Sequence, residues 1–129
     1  MLLQSPYVDS SKSEQEFFEI VSDMRNIPAL LPKEVQDVKA DEDNLSFTVK
    51  GMGSITLRVC QRISYSLVQL EPVGKTPFPF VLSVKIAGLG NNCRVSYEID
   101  ADMNPLMKMM AQRPLQNLLN MMAEKTVSL

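Results

Sequence analysis

The stretch that decides the fold of this chain reads NPLMKMMAQRPLQNLLNMMAEKT and covers residues 104–126. Asn104 is a candidate N-cap, and Pro105 suits the first helical position because the N–H it lacks would have no helical partner there. We therefore predict one long helix from about Pro105 to Thr126, with a kink at Pro114. A helical projection gathers the apolar residues into one stripe, and its members are Met107, Met110, Ala111, Pro114, Leu115, Leu118, Met121 and Met122.

Methionine dominates this stripe, since six of the nine methionines lie in the last quarter of the chain. The side chain is unbranched and polarizable, so a wall rich in methionine adapts to a variable apolar ligand or to a soft partner surface. An ordinary packed core explains the same stripe. The sequence leaves open whether the stripe lines a cavity or a filled core.

The apolar period changes from 3.6 residues to 2 between Glu34 and Ala101, as in half-buried strands. Gly51-Met52-Gly53 joins two of these runs as a hairpin, and the proline-containing segment 72–77 joins two others. Counting the opening segment, we predict seven strands, at Leu2–Asp9, Val35–Lys39, 44–50, 55–63, Tyr65–Glu71, Phe78–Ala87 and Cys93–Ala101. Short connections make the last six an antiparallel meander.

Two short helices are predicted after the first strand. Two overlapping capping boxes, Ser11 with Glu14 and Ser13 with Glu16, predict a helix from about Ser13 to Ser22. Asp23 and Asn26 are candidate caps for a second helix that ends before Pro32.

This order of elements predicts an α+β fold in one domain, residues 1–129. A twisted sheet can bury the stripe by curling around the long helix, with the two short helices closing one end. We expect a cavity between the sheet and the helix, because a strongly curved sheet seldom fills its own interior.

Composition excludes several classes of function. Thirteen basic and fifteen acidic residues give a net charge of −2 without a basic stripe, so we expect no nucleic-acid partner.

The N-terminus lacks the pattern of a signal peptide, no segment is long and apolar enough for an integral membrane span, and a cytoplasmic protein is expected. Cys60 and Cys93 are expected to be reduced. The run Asp41-Glu42-Asp43 lacks the rest of a calcium loop, and no metal site, catalytic set or cofactor is predicted.

Several segments carry a resemblance to a known superfamily. Residues 17–24 (FFEIVSDM), followed by Leu30-Leu31-Pro32, are similar to the opening of many bacterial members of the START-like superfamily, also called SRPBCC, including the coenzyme Q-binding group. Residues 47–52, 74–78 and 104–111, the last followed by Pro114-Leu115, resemble a set of small bacterial members more closely. The polyketide cyclase group is similar at a greater distance. The resemblance implies the helix-grip fold and a hydrophobic pocket, while the superfamily shares no single reaction.

The chain departs from the superfamily that it resembles in two respects. The turn 41–44 (DEDN) stands where pollen-allergen members have a glycine-rich loop. No histidine or tryptophan is present, which removes the usual general base.

The predicted pocket combines the inward side of the strands with the helical stripe. Alternation turns Gln61 and Tyr97 inward, where they could hold a ligand oxygen or bond to each other or to water. The predicted lining is Phe47, Val49, Leu57, Val59, Gln61, Phe80, Leu82, Tyr97, Ile99, Met107, Met110, Leu115, Leu118 and Met122.

Three functions are compatible with this pattern. The first is non-catalytic binding of a hydrophobic or amphipathic small molecule, such as a lipid, an isoprenoid or quinone, or a polycyclic compound. The second is a lyase of the polyketide cyclase/dehydrase type, in which Tyr97, Arg58 or Glu98 replaces histidine. The third is a protein-interaction module that uses Met52, Met109 and the end of the helix, its partner unknown. Cys60 is a further candidate nucleophile, although a sheet cysteine between solvated arginines is the simpler interpretation.

Overall fold

The computed structural model describes residues 1–76 and 78–129. Within these residues eight strands form one sheet, accompanied by two α-helices and one 3₁₀ helix. The strands are β1 (Leu2–Gln4), β2 (Val8–Ser10), β3 (Gln36–Ala40), β4 (Asn44–Val49), β5 (Gly53–Ile63), β6 (Leu67–Pro72), β7 (Phe80–Gly88) and β8 (Cys93–Ala101). The helices are α1 (Glu14–Ser22), the 3₁₀ helix Met24–Leu30 and α2 (Pro105–Val127).

The sheet is antiparallel throughout, with the strand order β1-β8-β7-β6-β5-β4-β3. Strand β2 also pairs with β8, beyond the end of β1, so the sheet has seven strand positions. This topology and the long C-terminal helix confirm the predicted helix-grip architecture. Pro77, which belongs to the predicted connection 72–77, lies outside the described residues.

The opening segment was predicted as one strand, Leu2–Asp9, and this is wrong in detail because the segment divides into β1 and β2. Pro6 has no N–H to donate to the sheet. Next to it, the Ser5 hydroxyl accepts a hydrogen bond from the Tyr97 backbone N–H at 2.9 Å, while Ser5 N–H donates to the Tyr97 carbonyl at 2.8 Å. A side chain therefore replaces one backbone partner, and the strand resumes at Val8.

The short helices are capped by the residues that the sequence indicates. The Ser13 hydroxyl accepts a hydrogen bond from Glu16 N–H at 3.2 Å, so Ser13 is the N-cap of α1. The Asp23 carboxylate accepts one from Arg25 N–H at 3.0 Å and caps the 3₁₀ helix. Asn26 has a different role, since its side-chain amide donates to the Ile20 carbonyl at the end of α1.

Helix α2 packs against β1, β2, β8 and the 3₁₀ helix. Its buried face is turned relative to the predicted stripe, because Leu119 and Ala123 are buried while Met110 is 61% exposed. Burial in α2 begins at Ala111 and continues to Thr126, so the first turns of the helix project past the packed interior. The buried residues of α2 are Ala111, Leu115, Leu118, Leu119, Met122, Ala123 and Thr126.

Candidate functional site

A groove of about 440 Å³ opens between α2 and one edge of the sheet. Three segments form its walls: the connection before β3, the end of β4 with the hairpin tip, and the middle of α2. The lining residues are Pro32, Glu34, Val35, Val49, Lys50, Pro114, Asn117, Leu118, Asn120 and Met121. This volume falls in the range of about 300–1,000 Å³ that is typical of small-molecule sites.

The first wall is a short turn that follows the 3₁₀ helix. Pro32 ends that helix, and the Val35 N–H donates to the Pro32 carbonyl at 3.1 Å. The ammonium of Lys125 in α2 donates to the Leu31 carbonyl at 2.7 Å, in a partly buried position. This hydrogen bond ties the turn to the helix and so fixes the distance across the groove.

The second wall is the end of β4, where the chain reverses into β5. Met52 N–H donates to the Val49 carbonyl at 3.0 Å, and Gly51 and Gly53 both have positive φ, at 85° and 88°. Glycine adopts this backbone conformation without the steric cost that a Cβ brings. The tight turn places Val49 and Lys50 beside the middle of α2.

The third wall is the groove-facing side of α2. Pro114 and Met121 are half-buried there, one heptad apart. The Asn117 amide has no hydrogen-bond partner among the described residues, and Asn120 accepts one hydrogen bond from Gln116 at 2.9 Å. The groove therefore combines apolar surface with polar groups that can bond to a ligand.

The interior beneath α2 is almost filled. Its enclosed cavity has a volume of about 10 Å³, which is at the lower limit of the about 10–15 Å³ that one water molecule needs. Its lining is apolar and comprises Ile27, Leu31, Leu45, Phe47, Leu70, Leu82, Val84, Leu118 and Met122. The open volume thus lies at the edge of the interface between sheet and helix, and Leu118 borders both spaces.

The residues that we predicted as pocket lining separate into five groups. Val49 and Leu118 line the groove. Phe47, Leu82, Leu118 and Met122 line the small enclosed cavity, and Leu57, Tyr97, Ile99 and Leu115 are buried in the core. Met107 and Met110 border a separate depression of about 220 Å³ together with Gly51, Met52 and Ala111. Val59 and Phe80 are half-buried, and Gln61 is exposed.

The inward orientation predicted for Gln61 is wrong because β5 contains a bulge. Val59 pairs with Leu70 but Gln61 pairs with Gln69, so Cys60 is an extra residue in the ladder. An extra residue reverses the side of the sheet to which the following side chains point. Gln61 therefore shares the outer side with Gln69. Met110, also predicted to face inward, is exposed because it precedes the buried part of α2.

Tyr97 points inward as predicted, but its hydroxyl already has a protein partner. The phenol oxygen lies 2.7 Å from the Thr126 hydroxyl oxygen, and both side chains are fully buried. Burial raises the pKa of Tyr97, because the charged phenolate would lose its hydration. Tyr97 is thus neutral at physiological pH and joins β8 to α2. Its neighbour Thr126 was absent from the predicted lining.

The other residues considered for chemistry lie outside the groove. Arg58 pairs with Glu71 at 2.9 Å on an exposed surface, and Glu98 pairs with Lys85 at 2.9 Å. Burial, followed by the charge of Glu71, raises the pKa of the Cys60 thiol, which keeps it protonated. Among the described residues, no three His, Cys, Asp or Glu side chains come together as a metal site. The Asp41 carboxylate closes its own turn by accepting hydrogen bonds from two backbone amides that follow it.

Most of the groove lining was not predicted as site residues. Pro114 and Met121 belong to the predicted stripe, and their seven-residue spacing on its edge is a signal that could have identified them. Asn117 and Asn120 follow the same helical edge. The turn residues Pro32, Glu34 and Val35 carry no such pattern, since their position depends on where the turn docks.

Solved structures share this fold at low sequence identity. No protein-family model matches the sequence, and no curated protein is similar to it in sequence. Among solved structures, a START superfamily protein from Mycobacterium smegmatis superimposes with a TM-score of 0.68 at 16% identity, over 97% of this chain and 96% of that chain. The chain has the START-like helix-grip fold.

Two further solved structures have the same fold. Norcoclaurine synthase from Thalictrum flavum, in complex with dopamine and hydroxybenzaldehyde, matches with a TM-score of 0.72 at 13% identity over 99% of this chain and 84% of that chain. The protein XoxI from Bacillus cereus matches with a TM-score of 0.74 at 10% identity over 98% of this chain and 93% of that chain.

Among the described residues, no helix is long and apolar enough to cross a membrane.

Proposed function

We infer that the groove binds a small apolar or amphipathic molecule, such as a fatty acyl chain, an isoprenoid or quinone tail, or a polycyclic compound. The observation that carries this inference is the groove of about 440 Å³ with its mixed lining. Six of its lining residues are apolar: Pro32, Val35, Val49, Pro114, Leu118 and Met121. The remaining four, Glu34, Lys50, Asn117 and Asn120, can orient a polar end of the ligand.

The expected affinity follows from the area that such a ligand would bury. Ten buried methylene groups contribute about 8 kcal/mol before the cost of association. That cost removes several kcal/mol, so micromolar affinity is reasonable without a charged anchor. Lys50 lies at the rim of the groove, where it can pair with a carboxylate or phosphate without being buried.

The proposed role is binding without a catalytic step. The residues that would replace histidine in a lyase, Tyr97, Arg58 and Glu98, already have protein partners. Norcoclaurine synthase, which has the same fold, held two small aromatic compounds in its structure. That complex supports small-molecule binding in this fold and does not transfer an activity to this chain.

A titration with an apolar fluorophore tests this proposal. Anilinonaphthalene sulfonate should bind the wild type saturably at one site per chain, and palmitate should displace it. Met121→Trp places a larger side chain in the groove and should weaken binding at least about tenfold, which corresponds to 1.4 kcal/mol. Met109→Trp makes the same change on the same helix outside the groove and is the matched control.

Equal affinity of the two tryptophan variants would place the bound molecule outside the groove. Absence of saturable binding to the wild type would contradict the proposal as a whole.

A further inference from the structure

The start of α2 presents an apolar surface to solvent. Leu106, Met109 and Met110 are 67%, 82% and 61% exposed. They lie within five residues of each other, and Met110 borders the same depression as Met52 at the hairpin tip. We refer to Met52, Leu106, Met109 and Met110 as the methionine face. Apolar side chains that are exposed singly are common, whereas a contiguous group of this kind indicates a contact surface.

The charged residues in the two segments that carry the methionine face all have one sign. In the two segments that form it, 49–54 and 104–117, the charged residues are Lys50, Lys108 and Arg113. Within the described residues none of these three forms an ion pair. The whole chain carries a net charge of −2, so this basic end contrasts with the rest of the molecule.

The nearest acidic side chains do not neutralise this end. Asp102 precedes α2 but lines a separate depression with Pro79 and Phe80. Glu34 lies in the groove, and no ion pair joins it to Lys50 within the described part of the chain. An approaching surface that touches the methionine face therefore meets unpaired positive charge.

We propose that the methionine face docks reversibly on an anionic lipid bilayer. Exposed methionine and leucine side chains can enter the boundary between head groups and acyl chains, while lysine and arginine beside them contact the lipid phosphates. Each basic residue near an anionic membrane surface strengthens binding about fivefold. With few apolar residues and three basic ones, docking is weak, and it decreases as salt screens the charges.

Docking at the methionine face would also affect the groove. Lys50 belongs both to the hairpin tip and to the groove lining, so the face adjoins the groove. A docked protein would hold the groove close to the lipid, where an apolar molecule can pass without crossing much water. Docking does not depend on ligand binding in the groove, and the two are tested separately.

Co-sedimentation with lipid vesicles tests the proposal. The wild type should bind vesicles made of equal parts of phosphatidylglycerol and phosphatidylcholine, should bind pure phosphatidylcholine much less, and should be released by salt. Leu106→Glu should lower vesicle affinity about fivefold or more. Glutamate is favourable in the first turn of a helix, so this change should leave α2 folded.

Two matched controls separate this surface from general effects. Leu89→Glu makes the same substitution at an apolar residue that is 46% exposed in the β7–β8 connection, and it should retain binding. Arg113 lies one turn after Met109 and Met110 on the same side of α2. Arg113→Glu should weaken binding about fivefold or more, while Lys39→Glu, with the same change in net charge, should not.

Vesicle binding that is equal for both lipid compositions, or equal for each variant and its control, would overturn the proposal. Sedimentation that shows a wild-type dimer lost in Leu106→Glu, without vesicle binding, would assign the face to a second copy of this chain instead. The groove variant Met121→Trp should still dock on vesicles, whether or not its groove binds a ligand.

Discussion

The phenol oxygen of Tyr97 lies 2.7 Å from the hydroxyl oxygen of Thr126, and this contact ties the middle of β8 to the last turns of α2. Thr126 in turn donates to the Met122 carbonyl at 2.9 Å, so the Tyr97 hydroxyl is the donor in the first hydrogen bond. Both side chains are fully buried. The end of α2 is thus fixed to β8, whereas its start projects into solvent.

This contact predicts coupled effects on stability. Tyr97→Phe removes one buried hydrogen bond and should cost about 0.5–1.5 kcal/mol of unfolding free energy. Thr126→Val leaves the Tyr97 hydroxyl buried without a partner and should cost about 1–3 kcal/mol. The double variant should be less destabilised than the sum of the two, by about 0.5 kcal/mol or more. Urea unfolding of the four proteins measures this, and strictly additive losses would show that the two hydroxyls do not interact.

The same tyrosine predicts a loss of stability in alkali. Burial raises the pKa of Tyr97 above its ordinary value of about 10, so the unfolded chain loses this proton first as pH rises. Its contribution is therefore complete below about pH 10 and decreases above it, by at most about 1.4 kcal/mol per pH unit. Tyr97→Phe should lack this part of the decrease. A roughly constant difference in unfolding free energy between wild type and variant from pH 9 to pH 12 would contradict a buried, neutral Tyr97 phenol.

The filled interior predicts opposite outcomes for two methionines of α2. Met122 is 2% exposed beside the cavity of about 10 Å³, so Met122→Trp should overpack the core and cost about 1–3 kcal/mol. Met110 is 61% exposed, and Met110→Trp should stay within about 0.5 kcal/mol of the wild type. Leu118→Ala should cost about 2–5 kcal/mol. Denaturant titration measures these changes in unfolding free energy. A Met122→Trp variant as stable as the wild type would show that unfilled space exists beneath α2.

The bulge in β5 predicts that its two arginines differ in importance. By reversing the strand's sides, the bulge points Arg62 at the end of α1, where its guanidinium donates to the Ser22 carbonyl at 2.7 Å and to Asp43 at 2.9 Å. Arg58 makes one exposed ion pair with Glu71. Arg62→Ala should cost about 1.5–3 kcal/mol and Arg58→Ala about 0–1 kcal/mol in urea unfolding. Equal losses of unfolding free energy in the two variants would show that the contact between Arg62 and α1 does not stabilise the fold.

The fold was predictable because its signals are periodic. Alternation in residues 44–50 and 93–101 identified β4 and β8 within one residue at either end, and Asn104 with Pro105 marked the start of α2. These patterns reflect burial on one side of an element, which each segment records in its own sequence.

The site was less predictable because it depends on contacts between segments. Gln61 was placed inward by counting alternation through Cys60, where a bulge reverses the count. Met110 lies on the apolar stripe, but the stripe extends past the interior that it would fill. The groove also needs the turn at Pro32, which is held by the hydrogen bond between Lys125 and Leu31. No local pattern encodes that distant pairing.

Ligand occupancy is the central claim, and native mass spectrometry with organic extraction of the purified protein tests it most directly. We expect wild-type protein to carry one apolar molecule per chain, either retained from expression or taken up from added palmitate, and the extract to contain the same molecule. Met121→Trp should lose most of this adduct, and Met109→Trp should keep it. A wild-type spectrum that shows the bare chain with and without palmitate would contradict the account, and so would an adduct that both variants retain equally.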